Sequence, residues 1–202
     1  QAISYLKDRG LDGETAAAFG LGYAPAGWDN LIGALGSEPG ALKLLAEAGL
    51  VIEKEEGGYY DRFRGRVMFP IFDVRGDPVG FGARLLEGDG PKYLNSPETA
   101  IYQKSRLLYG LNWAKSEAAR SGTSIVVEGY TDVIALHRAG MENTVATCGT
   151  ALGEGHLDLL RRFGERVVLM FDSDEAGVTA SLRGFERSVP GDLDLRVALL
   201  PT

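Results

Sequence analysis

The chain has 202 residues, of which 45% are hydrophobic and 24% charged. These proportions are typical of a globular protein with one or two compact domains. The sequence contains no apolar stretch of the roughly 20 residues that a membrane span needs. The single cysteine, Cys148, excludes an internal disulfide and a zinc site built from cysteines, and it fits a reducing compartment, so we expect a cytoplasmic protein. The net charge of −7 disfavours a uniformly basic surface of the kind that binds nucleic acid.

The first sixty residues predict short helices joined by turns. Residues 1–8 have an amphipathic pattern, and Asp12 is placed to cap an alanine-rich helix over 12–19. A further helix is predicted over 39–48. Gly49 would end it, because glycine readily adopts the left-handed conformation that closes a helix.

An extended pattern follows. Strands are predicted over 67–71 and 79–85, and the turn between them at 75–78 (RGDP) indicates a β-hairpin. Residues 91–99 (PKYLNSPET) have no periodicity and contain two prolines, which is typical of a shaped loop that carries contacts. A helix is predicted over 109–120.

The charge is distributed unevenly along the chain. Residues 1–60 carry four basic and nine acidic side chains, residues 61–120 carry ten and seven, and residues 121–202 carry seven and twelve. Only the middle third is net positive. Its basic side chains could line a phosphate track or could form a solvated surface that balances local acids, and charge alone does not decide between these.

After Gly122, apolar strands alternate with capping turns and helices, which is the pattern of an α/β domain. In these strands, apolar residues do not alternate with polar ones, which is typical of parallel strands that are buried on both faces. They are predicted over 124–127, 143–147, 166–171 and 195–200, and the helices between them begin near residues 132, 155 and 175.

Acidic side chains directly follow two of these strands. Glu128 follows the first strand, and Asp172 and Asp174 follow the third, at the sheet edge where open parallel sheets bind ligands. Acids there would cost desolvation energy unless they met a cation, and oxygen ligands favour Mg²⁺ or Mn²⁺ over zinc. Asp132 could be a further acid of this site or a helix cap, and acids at a strand end also cap helices without binding metal.

Two motifs at this edge resemble the TOPRIM domain shared by bacterial primases, type IA and type II topoisomerases and some nucleases. They are residues 128–134 (EGYTDVI) and residues 171–177 (FDSDEAG). This resemblance alone leaves the reaction open.

Further sequence blocks select among these families. Those similar to consecutive blocks of the DnaG-type primase core are residues 60–71 (YDRFRGRVMFPI), 80–84 (GFGAR), 92–99 (KYLNSPET) and 148–152 (CGTAL). They occur in order and at family spacing, so the resemblance covers essentially the whole chain. It implies an α/β fold in which a mainly parallel TOPRIM sheet flanked by helices, over 121–202, follows a mixed α+β basic subdomain over 1–120.

The resemblance also implies roles for single residues. Glu128 would be the essential TOPRIM glutamate, and Asp172 and Asp174 the metal-binding aspartates. Asp132 matches a further acidic position, and all four would hold Mg²⁺ or Mn²⁺, with no zinc site in this segment. The residues that match positions engaging template and incoming nucleotide are Arg64, Arg66, Arg84, Lys92, Asn95 and Lys104. The positive middle third then fits a nucleic-acid groove.

The activity implied is synthesis of short RNA primers on single-stranded DNA during replication, by metal-dependent nucleotidyl transfer from ribonucleoside triphosphates. The implied partners are the DNA template, the triphosphates, the RNA primer and, through a domain outside this sequence, the replicative helicase at the fork. A TOPRIM nuclease or topoisomerase is a rival, although those classes do not carry the blocks at 62–64 and 93–97. A noncatalytic nucleic-acid-binding or partner-binding fragment is another.

The sequence departs from the family pattern at several points. Ser173 stands where the family usually has glycine, and Ala83 replaces a frequent glycine. The sequence runs from Gln1 to Thr202 without the family's zinc-binding domain or the acidic segment that contributes to the metal site. We therefore expect a piece of a longer protein, with an incomplete metal site and with its activity in isolation in question.

The remaining reactive and aromatic side chains suggest mainly structural roles. Those predicted to pack are Trp28, Trp113, His137, Cys148 and His156. Tyr93 and Tyr102 are candidates for stacking on bases.

Overall fold

The computed structural model describes residues 1–171 and 193–199, which divide into two compact units. The first unit comprises residues 1–71 and 78–103, and the second comprises residues 72–77 and the described residues from 104 onward. Along the described chain, the backbone therefore passes from one unit to the other after residues 71, 77 and 103.

The first unit, which is described throughout, contains short helices near its start. They are α1 (Ala2–Asp8), α2 (Gly13–Ala18), α3 (Asn30–Leu35) and α4 (Ala41–Glu47). Asp12 accepts a 2.8 Å hydrogen bond from the Thr15 N–H, which confirms the predicted cap of α2. Gly49, two residues after α4, has φ 70°, as predicted for the residue that ends this helix.

Helix α3 was not predicted, because a distant residue stabilises its start. The Asp61 carboxylate accepts hydrogen bonds from the Leu31 N–H at 2.6 Å and from the Ile32 N–H at 3.2 Å. These N–H groups of the first turn have no partner within their own helix. A cap contributed from 30 residues away leaves no local signal in the sequence.

The strands of the first unit form two sheets. They are β1 (Gly22–Ala24), β2 (Val51–Glu53), β3 (Tyr59–Asp61), β4 (Arg66–Phe72), β5 (Pro78–Leu85) and β6 (Tyr93–Asn95). The larger sheet has the order β1-β4-β5-β6, and β2 pairs antiparallel with β3. The predicted hairpin is confirmed as β4 and β5, whose turn is closed by a 2.9 Å hydrogen bond from the Asp73 N–H to the Asp77 carbonyl.

Strand β6 lies inside the segment predicted to be a loop. It pairs antiparallel with β5, with Arg84 opposite Tyr93 and Gly82 opposite Asn95. The prediction of a loop without strand is therefore wrong for these three residues. A strand this short has too few residues for a periodic pattern, and its partner strand alone fixes its conformation.

The second unit contains the α/β sheet. Its described elements are β7 (Leu108–Tyr109), α5 (Leu111–Ser121), β8 (Thr123–Val127), α6 (Tyr130–Arg138), β9 (Thr144–Thr147), α7 (Glu154–Leu160), β10 (Arg166–Phe171) and β11 (Asp194–Leu199). A 3₁₀ turn, Lys104–Arg106, precedes them. The described strands are ordered β11-β10-β8-β9-β7, with parallel pairing except for β7, which is antiparallel to β9.

This arrangement confirms the four predicted strands and the parallel sheet. The predicted helix near residue 175 lies outside the described residues. Core side chains from both strands and helices are buried almost completely, among them Val126, Val145, Leu157, Leu160 and Leu169. The longest described helix, α5, has 11 residues, and among residues 1–171 and 193–199 no helix has the length and apolar character of a membrane span.

Candidate functional site

Glu128 lies at the carboxyl end of β8, where the backbone leaves the sheet before α6 begins. Its side chain is exposed, and it makes no hydrogen bond or ion pair with any residue that the structure describes. The expected desolvation of this carboxylate is therefore wrong, since water reaches it. Within the described part of the chain, no side chain or backbone group engages this carboxylate, which leaves it available to a ligand there.

Asp132 lies in the first turn of α6 and is also exposed. Its Oδ2 accepts a 3.1 Å hydrogen bond from the N–H of Gly129, the N-cap residue. An acid at the third helical position that bonds back to the N-cap stabilises the start of a helix. The capping alternative is thus observed, with Gly129 rather than Asp132 as the N-cap, and the role of Asp132 as a metal ligand stays a prediction.

Asp172 and Asp174 lie outside the described residues. The described strand before them, β10, pairs in parallel with β8 from Arg166 opposite Thr123 to Leu169 opposite Val126. The carboxyl ends of β8 and β10 therefore lie side by side at one edge of the sheet. Within residues 1–171 and 193–199 no group of three histidine, cysteine, aspartate or glutamate side chains is placed to hold a metal, so the acidic cluster stays a prediction.

The donors available at this edge suit a hard cation. Glu128 and Asp132 offer carboxylate oxygens, which Mg²⁺ and Mn²⁺ prefer, and both are exposed. Cys148, the only cysteine in the sequence, is buried. The described residues therefore fit the predicted metal in ligand type.

A basic pocket of about 490 Å³ lies in the first unit. Its basic side chains are Arg62, Arg64 and Arg66, which are spaced two residues apart in the sequence. Apolar and acidic side chains complete the wall, namely Ala26, Ile52, Leu85, Leu94, Pro91, Glu87 and Asp89, together with Tyr60, Gly65 and Gly90. Arg62 was absent from the predicted site, although the two-residue spacing to Arg64 and Arg66 was a signal for it.

Arg66 is buried, with 5% of its surface exposed. Its Nη1 donates a 3.0 Å hydrogen bond to the Pro91 carbonyl oxygen. Burial lowers its pKa from the usual value, and the positive charges of Arg64 and Arg84 lower it further. Burial likewise lowers the pKa of Arg62. The repulsion between Arg66 and Arg64 would be relieved by a bound anion, although Glu87 and Asp89 also line the pocket.

Arg64 stacks on aromatic rings beside the pocket. Its guanidinium carbon lies 4.0 Å from the ring centroid of Trp28 and 5.2 Å from that of Tyr60, and it also donates to the Asp61 carbonyl. Trp28 contacts the edge of Tyr60 at 5.5 Å but remains 62% exposed. The prediction that Trp28 packs is therefore only partly met. An exposed indole beside a guanidinium is suited to stacking on a base.

Arg84 lies away from the basic pocket. Its guanidinium lies 5.5 Å from the rings of both Tyr5 and Tyr93. Because side chains alternate along a strand, Arg84 and Tyr93 are on the face of the sheet opposite to Leu85 and Leu94, which line the pocket. Arg84 thus lies on the other face of the sheet from these two pocket residues, although its charge is close enough to lower the pKa of Arg66.

The other predicted binding residues have different surroundings. Lys92 is exposed, directly before β6, and Asn95 is half-buried at the end of that strand. Tyr102 is completely buried, so the suggestion that it stacks on bases is wrong. Lys104 is half-buried and belongs to the second unit, although the resemblance had assigned it to the amino-terminal subdomain.

The predicted structural roles of the other side chains are confirmed. Trp113 contacts the rings of Phe72 and Tyr109, and Cys148 is buried. His137 Nε2 lies 2.8 Å from the Thr144 carbonyl oxygen, and His156 is buried in the second unit. Both imidazoles therefore serve local structure.

Comparisons with known proteins agree along the whole chain. Residues 1–115 match the family model "DNA primase catalytic core, N-terminal domain", and residues 122–199 match the "Toprim domain". A DNA primase of Deinococcus radiodurans is 49% identical over 100% of this chain and 36% of its own length, and one of Pseudomonas putida is 51% identical over 98% and 30%.

Solved structures give the same result. A DNA primase domain from Pseudomonas aeruginosa superposes with a TM-score of 0.92 at 48% identity, covering 99% of this chain and 64% of that one. A DnaG primase catalytic domain bound to single-stranded DNA has a TM-score of 0.87 at 44% identity, covering 99% and 66%. The chain spans about a third of the curated relatives and about two thirds of these solved chains.

Proposed function

The chain belongs to the DnaG-type DNA primases, as a segment of their catalytic core, and from this we propose that it contributes to the synthesis of RNA primers on single-stranded DNA during replication. The observation that carries the proposal is the exposed Glu128 carboxylate at the carboxyl end of β8, which none of the described residues engages. It belongs to a chain that matches a primase over its whole length. We infer metal-dependent nucleotidyl transfer from ribonucleoside triphosphates as its chemistry.

In this reaction, the 3′-hydroxyl oxygen of the growing primer attacks the α-phosphorus of a ribonucleoside triphosphate. A new phosphodiester bond forms, the bond to the bridging oxygen of the β-phosphate breaks, and pyrophosphate leaves with the hydroxyl proton passing to solvent. Bound divalent metal would supply positive charge that favours the alkoxide and neutralises the triphosphate. Glu128, with Asp172 and Asp174 as predicted partners and Asp132 beside it, would hold that metal.

The basic and aromatic side chains of the first unit would bind the polyanions. Lys92 is exposed, and Arg64 presents a flat cation against Trp28, a combination suited to phosphate and base together. Arg84 beside Tyr93 offers the same pair of groups on the other face of its sheet. We propose single-stranded DNA as one ligand, in line with the relative whose structure is described as bound to it.

Arg66 and Asn95 fit supporting roles in this scheme. Arg66 holds the Pro91 carbonyl directly before Lys92, and Asn95 lies opposite Gly82 on β5. We further expect the RNA primer and ribonucleoside triphosphates as ligands, the replicative helicase as a partner of the whole protein, and a location in the cytoplasm at the replication fork.

Metal binding tests the first requirement of this proposal. We expect Glu128→Gln to weaken binding of Mn²⁺ to this chain at least tenfold, because one anionic ligand becomes neutral, as followed by electron paramagnetic resonance of the free ion. Because the Glu128 side chain is exposed, the melting temperature should not change. Glu142→Gln, a change of the same kind at another exposed glutamate of the second unit, is the matched control.

Primer synthesis tests the function itself. A full-length primase carrying this sequence should extend RNA on single-stranded DNA with Mg²⁺ or Mn²⁺, and Glu128→Gln should lower the rate by a factor on the order of a hundred or more. Undiminished synthesis by that variant would reject the assignment of Glu128.

A further inference from the structure

A buried histidine holds the backbone of Lys104, which the family resemblance assigns to template or nucleotide binding and which we include among the proposed phosphate-binding residues. Lys104 begins the 3₁₀ turn Lys104–Arg106, and His156 lies in the first turn of α7. His156 Nε2 is 2.7 Å from the Lys104 carbonyl oxygen. The histidine is only 1% exposed, so water does not compete for this hydrogen bond.

Two of the polar contacts of His156 fix its tautomer. The Gly153 N–H donates to Nδ1 at 3.0 Å, so Nδ1 carries no proton. A carbonyl oxygen can only accept, so Nε2 carries the proton and donates it to Lys104. The imidazole is therefore neutral, and its orientation is fixed from both sides.

Gly155 brings the same turn close to the helix. A Cβ atom at this position would lie 2.6 Å from the Ser105 carbonyl oxygen, a distance that real Cβ atoms do not show. The 3₁₀ turn is thus docked on α7 both by the hydrogen bond to Lys104 and by direct contact with the helix backbone.

The helix that carries this docking site is anchored in the core. Leu157 and Leu160 of α7 are completely buried among the side chains of the sheet. Lys104 and Glu128 belong to the same compact unit. A cation whose backbone is already held relative to the core loses less conformational entropy when it binds a phosphate.

We propose that His156 is a positioning residue for Lys104, which it holds at the place where the lysine binds template or nucleotide phosphate. The inference rests on the proposed function, because it requires Lys104 to bind one of these ligands. In this proposal, the buried, neutral His156 raises ligand affinity without touching the ligand, because it acts through Lys104.

A pair of variants separates the contact of His156 with Gly153 from its contact with Lys104. In His156→Asn, the short amide can still accept from the Gly153 N–H but does not reach Lys104. In His156→Gln, a glutamine at the third helical position can bond back to the N-cap N–H while its NH₂ group donates to Lys104. His137→Asn is the matched control, because it removes a similar contact to the Thr144 carbonyl, far in sequence from the 3₁₀ turn.

Affinity is measured on this chain by fluorescence anisotropy with two probes, a labelled single-stranded oligodeoxynucleotide and a labelled ribonucleoside triphosphate with Mg²⁺. Lys104→Ala should weaken one of them about tenfold, as expected for loss of a hydrogen bond from a charged group. We expect His156→Asn to weaken the same probe, His156→Gln to restore most of the affinity, and His137→Asn to have no effect.

The double variant Lys104→Ala/His156→Asn gives the sharpest test. If His156 acts through Lys104, the double variant binds no more weakly than Lys104→Ala alone. Additive losses, unchanged affinity in His156→Asn, or an equal loss in His137→Asn would each overturn the inference. If His156→Asn does not fold, Gly155→Ala carries the same expectation, because it pushes Ser105 away from α7.

The binding role of Lys104 and the metal site of the proposed function are tested by different variants. If Lys104→Ala weakens neither probe, the inference falls together with the binding role of Lys104. The metal site is judged separately, by the loss of Mn²⁺ binding in Glu128→Gln.

Discussion

Arg66 Nη1 donates a 3.0 Å hydrogen bond to the carbonyl oxygen of Pro91, which joins the first residue of β4 to the residue directly before Lys92. The donor is a buried cation and the acceptor a backbone atom of the segment that leads into β6. The sequence predicts that Arg66 binds a phosphate. In the structure, its guanidinium instead holds the backbone directly before Lys92, the other predicted phosphate-binding residue.

Replacing Arg66 by methionine should therefore reduce stability as well as binding. We expect the free energy of unfolding to fall by about 1–3 kcal/mol, because the Pro91 carbonyl loses a hydrogen bond from a charged donor. Affinity for single-stranded DNA should fall with it, since Lys92 is held less firmly. Urea denaturation and fluorescence anisotropy measure the two effects. A loss of affinity with unchanged stability would instead mean that Arg66 binds nucleic acid directly.

Lys92→Ala should change the salt dependence of single-stranded DNA binding. Each phosphate contact that is removed lowers the slope of log K against log salt concentration by about 0.7 for a single strand. The matched control is Lys43→Ala, since Lys43 is an exposed lysine of the same unit that pairs with Glu47 at 3.9 Å on α4. Equal slopes for the Lys92 variant and the wild type would remove Lys92 from the interface.

Gly49→Ala should destabilise the first unit more than Gly40→Ala does. Both glycines have positive φ, 70° and 81°, so alanine costs about 1–2 kcal/mol of backbone strain at either. Only at Gly49 would the new Cβ also meet another residue, at 2.5 Å from Pro97 Cγ, whereas nothing lies within 4 Å at Gly40. We expect an additional loss of about 1–3 kcal/mol from this clash. Equal melting temperatures of the two variants would contradict the close contact with Pro97.

The stability of the protein should fall as the pH drops below about 6.5. Burial lowers the pKa of His156 from its usual value of 6.5, although hydrogen bonds to the backbone of Lys104 and Leu107 oppose this in part. The unfolded chain therefore takes up a proton before the folded chain does, and the contribution of neutral His156 is present above pH 6.5 and lost below it. The slope for this one group is at most about 1.4 kcal/mol per pH unit.

Urea denaturation between pH 5 and 8 measures this slope, and the decline should be shallower in His156→Gln. Burial lowers the pKa of His137 in the same direction, so part of the decline should remain in that variant. Identical slopes in the variant and the wild type would show that His156 takes up its proton equally in both states.

The parts of the fold that sequence predicted are those with a local pattern. The apolar runs of β8 and β10 are long enough to identify buried parallel strands, and Asp12 caps its own helix from three residues away. Strand β6 and helix α3 were missed because each depends on a partner far along the chain. For α3 that partner is Asp61, and for β6 it is β5.

The site was predictable in composition more than in geometry. Motif spacing placed Glu128 at the end of a strand beside the end of β10, as the structure has it. It did not reveal that Arg84 lies on the face of its sheet opposite to the pocket residues Leu85 and Leu94, because the side of a sheet that a residue faces depends on strand register. Nor did it predict the link between His156 and Lys104, which are distant in sequence and meet only through tertiary structure.

The hairpin tip at residues 72–77 belongs to the second unit, although the strands on either side lie mainly in the first. Within that unit, Phe72 packs against Trp113 with ring centroids 5.4 Å apart, and Lys115 donates a 2.7 Å hydrogen bond to the Val74 carbonyl. An exchange of the continuous segment from residue 104 onward between two proteins would therefore leave these six residues behind. A chimaera that combines halves of different primases must therefore carry the tip together with its own α5.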